Sequence, residues 1–171
     1  MNSDMPHADA SPKIAPVYVV WSGETLLDSA IENSWRHLIN YPSWQNYSMV
    51  RHIEGEQGAE GELVMLSKEE EGAFVPRYYA RTVKLDPINK IVIWKCYPES
   101  RSAEDFQGFV EFRLYEDGER TRYWYNLIYE FMIPFEHEGE LHLFRKQRYE
   151  NFAVLYDAVL PKLKELVRHR A

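Results

Sequence analysis

Cysteine is almost missing from this chain of 171 residues: Cys96 stands alone, so no intramolecular disulfide can form and a small secreted scaffold stapled by disulfides is excluded. A cytoplasmic setting is therefore expected. Long apolar runs are missing too. None reaches the roughly 18 to 20 residues that a membrane-spanning helix needs, and the N-terminus carries no apolar stretch of signal-peptide type. Residues 1–13, rich in Asp, Ala, Ser and Pro, are expected to form a disordered leader ahead of one domain over residues 14–171. An excess of positive charge is also lacking. Against 20 Lys and Arg stand 27 Asp and Glu, a formal charge of -7. Affinity for a phosphate backbone rests on clustered cations, so nucleic acid is not an expected partner. The two basic clusters, Arg145-Lys146-Gln147-Arg148 and the tail from Lys162 to Arg170, read as solvated helix surface.

Aromatic side chains are what the chain has in plenty: 12 Tyr, 8 Phe and 5 Trp. They bury large areas, and Tyr and Trp carry a donor that needs a partner, so they suit both a thick core and a pocket for a mostly apolar ligand. Cys96, within the run Ile91 to Tyr97, reads as a buried structural thiol and not a nucleophile.

Along the chain, the β-branched and aromatic run Ile14 to Trp21 predicts a first strand that Ser22-Gly23 ends. Thr25-Leu26-Leu27-Asp28 has the spacing of a capping box, and Leu27, Ala30, Ile31, Trp35 and Leu38 continue it as a helix to about Ile39. Pro42 to Tyr47 reads as a second short helix. Strands then follow over Met49 to Gly55, Leu63 to Leu66, Phe74 to Leu85, Ile88 to Tyr97, Phe106 to Tyr115 and Arg120 to Ile133. The glycines from Gly55 to Gly61 precede a strand where a phosphate loop needs a helix, so they read as a hairpin connection.

Alternation is clearest in the last two strands. Phe106, Gly108, Val110, Phe112 and Leu114 share one face, as do Tyr123, Tyr125, Leu127, Tyr129 and Phe131, and these faces are expected inward. In the strand from Phe74, Arg77 and Arg81 share a face with Tyr79 and Val83, and the face stays unassigned. From Glu138 to Arg168 a helical stripe joins Phe144, Phe152, Leu155, Val159, Leu163 and Leu166, long enough at on the order of 45 Å to cross a small domain. Pro161 is expected to kink it. Arg148 interrupts the stripe. Its charge calls for solvent, for an acid such as Glu130, or for the polar end of a ligand.

The order of strand, two helices, six antiparallel strands and long C-terminal helix, with Trp35 to Trp44 after the first helix and the glycine-spaced turn, resembles the START-like or SRPBCC superfamily. That group includes birch-pollen-allergen-like proteins, lipid-transfer domains and polyketide cyclases. The resemblance implies an α+β helix-grip fold: a curved, antiparallel seven-stranded sheet with two short helices, gripping one long C-terminal helix around an apolar cavity. It says little about activity, because one fold hosts many functions. The oxygenase branch holds iron through two histidines and a carboxylate. In Glu136 to His142 the two histidines are five residues apart and point about 140° from each other on a helix, so no metal and no cofactor is expected.

Three readings of function follow. The first is a binding module for a hydrophobic small molecule, lipid-like or aromatic, with Tyr78, Trp94, Phe112, Tyr125, Tyr129, Phe144, Arg148 and Phe152 as its expected lining. The second is a cyclase or dehydratase using the same cavity, with Arg148, Glu130, Tyr129 and Tyr125 as acid–base candidates and no catalytic residue assigned. The third is a protein-interaction domain with an exposed apolar patch.

Overall fold

A computed structural model describes residues 12–40, 50–70, 73–98 and 106–168. Its strands are β1 (Lys13–Leu27), β2 (Val50–Glu54), β3 (Leu63–Glu70), β4 (Ala73–Asp86), β5 (Ile91–Pro98), β6 (Phe106–Asp117) and β7 (Arg120–Phe135). They form one antiparallel sheet in the order β1-β7-β6-β5-β4-β3-β2. The described helices are α1 (Ile31–Ile39) and the long α2 (Glu138–Arg168), which packs on β1, β7 and α1. The second short helix expected over Pro42 to Tyr47 lies outside the described residues. No described helix is long and apolar enough to cross a membrane.

The first strand corrects the sequence reading. It does not stop at Ser22-Gly23 but pairs with β7 without interruption from Lys13↔Phe135 to Leu27↔Thr121. Thr25 is thus a strand residue, not a cap. Fifteen consecutive ladder positions against a strand of equal reach, with Leu27 buried at the end, outweigh a local capping signal. Helix α1 begins after Ala30, which makes no side-chain cap. Its entry is fixed instead by Asn33 Nδ2, which donates to Ser29 Oγ at 2.6 Å and to the Val167 carbonyl at 2.9 Å, tying α1 to the end of α2. Trp35 and Leu38 bury the inner face of α1, and Lys90 Nζ covers the Trp35 ring at 5.5 Å.

The inward faces of β6 and β7 are as the alternation predicts, with Val110, Phe112, Leu114, Tyr123, Tyr125, Leu127, Tyr129 and Phe131 all buried. In β4 the inward residues Ala80 and Thr82 are followed by a register shift between Thr82 and Lys84, after which Lys84 faces out and Leu85 packs against the core. Arg81 points outward and donates to Glu54 Oε1 at 2.7 Å. Strand β5 starts at Ile91, not Ile88. The Asp86 carboxylate accepts from the amides of Ile88 and Asn89 at 3.1 and 2.9 Å, and this turn leaves Ile88 exposed. The glycine-rich stretch joins β2 to β3, with Gly55, Gly58 and Gly61 at positive φ. The buried Glu62 carboxylate secures it, accepting from Gly58 N at 2.7 Å and lying 2.8 Å from His52 Nδ1.

Two further glycines set the depth of the concave face. Gly23 on β1 and Gly108 on β6 stand opposite Tyr125 and Tyr129 of β7. A Cβ at Gly23 would lie 2.4 Å from the Tyr125 hydroxyl, and one at Gly108 would lie 2.2 Å from the Tyr129 ring. Glycine therefore lets each ring lie across the neighbouring strand. Helix α2 then stacks on the rings: Tyr156 on Tyr125 with centroids 4.2 Å apart, and Phe152 on Tyr129 at 5.5 Å.

Burial along α2 is uneven. The helix buries Tyr156, Leu163, Leu166 and Val167 and nothing in its first half, where Leu143 is 65% exposed. Leu155 and Val159, expected to be largely buried, are half-buried, because Tyr156 takes the central inward position and turns the stripe by one residue. The helix runs through Pro161, which is exposed.

Two outcomes are expected. Leu163→Ala lowers unfolding free energy by about 2 to 5 kcal/mol, whereas Leu155→Ala costs about 1 kcal/mol, because only the first opens a cavity in closed packing; urea denaturation of both variants checks this. Gly108→Ala forces the Tyr129 ring off its strand and costs about 1 to 3 kcal/mol. An unchanged melting temperature in Gly108→Ala contradicts the role assigned to that glycine.

Candidate functional site

The eight residues expected to line a cavity fall into two groups around Tyr129. Trp94, Phe112 and Tyr125 are fully buried. Trp94 meets Phe112 edge-on at 4.9 Å, Phe112 stacks with Tyr123 at 5.7 Å, and Tyr123 meets Tyr125 at 5.8 Å. With Tyr156 stacked on Tyr125 and with Leu163 and Val167 buried further along α2, this end is closed by protein.

Tyr78, Phe144, Arg148 and Phe152 form the other group, and all four are half-buried. Each therefore keeps part of its side chain accessible. Phe106 holds the group together, with its centroid 5.9 Å from Tyr78, 5.6 Å from Tyr129 and 5.7 Å from Phe131. Phe144 meets Phe131 edge-on at 5.3 Å. The Arg148 guanidinium carbon lies 5.0 Å from the Phe131 centroid and 4.7 Å from that of Phe144, so the cation rests against two ring faces. Tyr129, only 3% exposed, is the floor between the two ends.

Phe106, Phe131, Tyr123 and Tyr156 belong to the site although the expected lining omitted them. For the first three the signal was present, since alternation already placed them inward. Tyr156 was missed because a helical phase error of one residue moves a side chain by 100°. Glu130 corrects the reading in the other direction. It lies on the outward side of β7, where Gln107 Nε2 donates to it at 3.4 Å, so it faces away from Arg148.

The polar groups within are neutral donors. Burial, then the nearby hydroxyl of Tyr78 and thiol of Cys96, hold the Tyr129 phenol well above its ordinary pKa. Burial likewise raises Tyr78, whose hydroxyl bonds that of Tyr129, although the residue as a whole is half-buried. Burial pushes the Cys96 thiol up to about 12, so it is no nucleophile at neutral pH. Burial also raises Tyr156 and Tyr125. Trp21 Nε1 lies near enough to the Tyr125 hydroxyl to favour its ionised form slightly, yet the contact falls short of a formed hydrogen bond. Among the described residues no three His, Cys, Asp or Glu side chains converge as metal ligands would.

No protein-family model matches the chain, and no curated protein matches it in sequence. Solved structures do match its shape. Norcoclaurine synthase from Thalictrum flavum, in complex with dopamine and hydroxybenzaldehyde, is 12% identical with a TM-score of 0.61 over 91% of this chain and 90% of its own. Major latex-like protein 151 from Panax ginseng is 16% identical with a TM-score of 0.60, over 91% of this chain and 99% of its own. Ara h 8.0201 is 9% identical with a TM-score of 0.55, over 88% of this chain and 97% of its own. At these identities the likeness is one of fold, and it agrees with the strand order, the long antiparallel β1–β7 pair and the gripped C-terminal helix: this chain has the Bet v1-like, SRPBCC helix-grip fold.

Proposed function

We propose that the chain binds a mostly apolar, aromatic small molecule at the open end of its concave face and releases it unchanged. The observation that carries this reading is the cluster of half-buried side chains at Tyr78, Phe106, Phe144 and Phe152, apolar surface that closed packing leaves uncovered beside a fully buried floor. The Tyr78–Tyr129 hydroxyl pair gives that surface a polar point with which to orient a ligand. Norcoclaurine synthase, of the same fold, holds two small aromatic molecules, which is in keeping with an aromatic ligand here. Proton-transfer chemistry of the cyclase or dehydratase kind is the weaker reading. Glu130 faces away, and burial keeps the phenols protonated, so neither supplies a base at neutral pH.

A second reading, a protein-interaction domain, is favoured by one feature on the opposite side of the sheet. Val20, Ile128 and Phe109 stand in register across β1, β7 and β6, and all three are exposed. Such a row is the apolar patch that an interaction surface offers.

The uncharged fluorophore N-phenylnaphthylamine separates the two. Its emission is expected to rise on mixing with the protein, and Phe144→Ala is expected to weaken its binding about fivefold with little change in melting temperature. No enhancement, or enhancement indifferent to Phe144→Ala, overturns the binding reading and favours the convex face.

A further inference from the structure

We infer that the chain forms a twofold dimer in solution through the outward face of β1, β7 and β6, with Lys95 of each copy meeting Glu130 of the other. The inference names a partner for the exposed row Val20, Ile128 and Phe109, and it is independent of the binding reading, which uses the opposite side of the sheet. Strand β1 carries the first sign of it. From Ile14 to Trp21 the run has no charged residue on either face, the pattern of a strand covered on both sides. The inward half has its cover, with Val17 and Val19 buried. On the outward half, Tyr18 and Val20 are joined by Ile128 and Met132 of β7 and Phe109 of β6, each 40% to 54% exposed. Polar side chains bound this patch at one end, where Ser22, Asn126 and Glu111 stand in the next row.

What says that the cover is a second copy is the patch's own charge pattern. Glu130 stands opposite Tyr18 on β1 and Gln107 on β6, and its contact with Gln107 is a long 3.4 Å. Lys95 stands opposite Phe109 on the other flank, exposed, and makes no ion pair among the described residues. The two are two strands and one row apart, on the order of 12 Å within one copy. A twofold axis lying in the contact plane between them brings each Lys95 over the other copy's Glu130, and it packs Phe109 and Ile128 of both copies between the two ion pairs. A sheet face is also matched in twist by another sheet face, which a second copy supplies. A bilayer fits less well, since an acid within the apolar patch and a formal charge of -7 both oppose insertion. Four strands of width, roughly 14 Å, and roughly 20 Å along β1 make a contact smaller than the standard interface, so the dimer is expected to be reversible, with a Kd on the order of 10 μM.

Sedimentation equilibrium of the full chain, from about 1 to about 200 μM, is expected to show monomer and dimer in exchange. Phe109→Asp puts an acid into the apolar centre and should raise the Kd at least about tenfold, with the melting temperature at low concentration as in wild type. Lys95→Glu and Glu130→Lys are each expected to stay monomeric, since each copy then meets a like charge twice. Mixed one to one, these two variants are expected to dimerise again with a Kd within about threefold of wild type, because both ion pairs return with reversed polarity. A merely structural role for either residue would not produce that restoration. A wild type that is monomeric over the whole range overturns the inference, as does a dimer that Phe109→Asp leaves intact or a mixture that fails to associate. Neutral phosphatidylcholine vesicles supply a control: wild-type binding to them that Phe109→Asp abolishes gives the face to a membrane and overturns the dimer. N-phenylnaphthylamine is expected to bind Phe109→Asp as it binds wild type, so failure of the dimer and failure of the binding reading are told apart.

Discussion

The spacing between the sheet and α2 is set by rings stacked on rings. Tyr125 and Tyr129 can lie across the strands beside them because Gly23 and Gly108 offer no Cβ, and Tyr156 and Phe152 then settle on their upper faces. Without those two glycines the tyrosine rings would have to stand up from the sheet and lift the helix. Everything nearer the C-terminus of α2 follows from that seat: Leu163, Leu166 and Val167 reach the core, and the Val167 carbonyl meets Asn33 of α1.

What lies nearer the N-terminus of α2 is different in kind. The helix leaves the stacked region with Phe144 and Arg148 half-buried and Leu143 exposed, while Phe131 beneath them stays buried. A concave face that is closed at one end and lined by half-buried rings at the other is a usual place for an apolar ligand. The electrostatics run along the same axis. Burial keeps the phenols and the Cys96 thiol neutral at the floor, and beyond them the Arg148 cation rests against the Phe131 and Phe144 rings.

Much of the fold was readable because β6 and β7 alternate without interruption and each inward position is apolar or aromatic. Where the reading failed, a long-range partner decided the local outcome. Thr25 to Asp28 has the residues of a helix start, but β7 offers ladder bonds as far as Leu27, and no local signal carries the length of a strand 100 residues away. The face of β4 was unreadable for a physical reason, since the shift between Thr82 and Lys84 breaks the period of two that any pattern argument needs. In the site, the open group of Phe144, Arg148 and Phe152 was visible as a stripe with one discordant charge. The division into closed and open ends was not visible, because it depends on which rings α2 covers and not on which rings point inward.

That division is most directly tested by two-dimensional NMR of aromatic and methyl groups during titration with N-phenylnaphthylamine. The account predicts the largest shifts at Phe106, Phe131, Phe144 and Phe152, with Trp35, Leu163 and Val167 unmoved. Shifts concentrated on Val20, Phe109 and Ile128 of the convex row, or on Trp35 and Leu163 at the closed end, would contradict it.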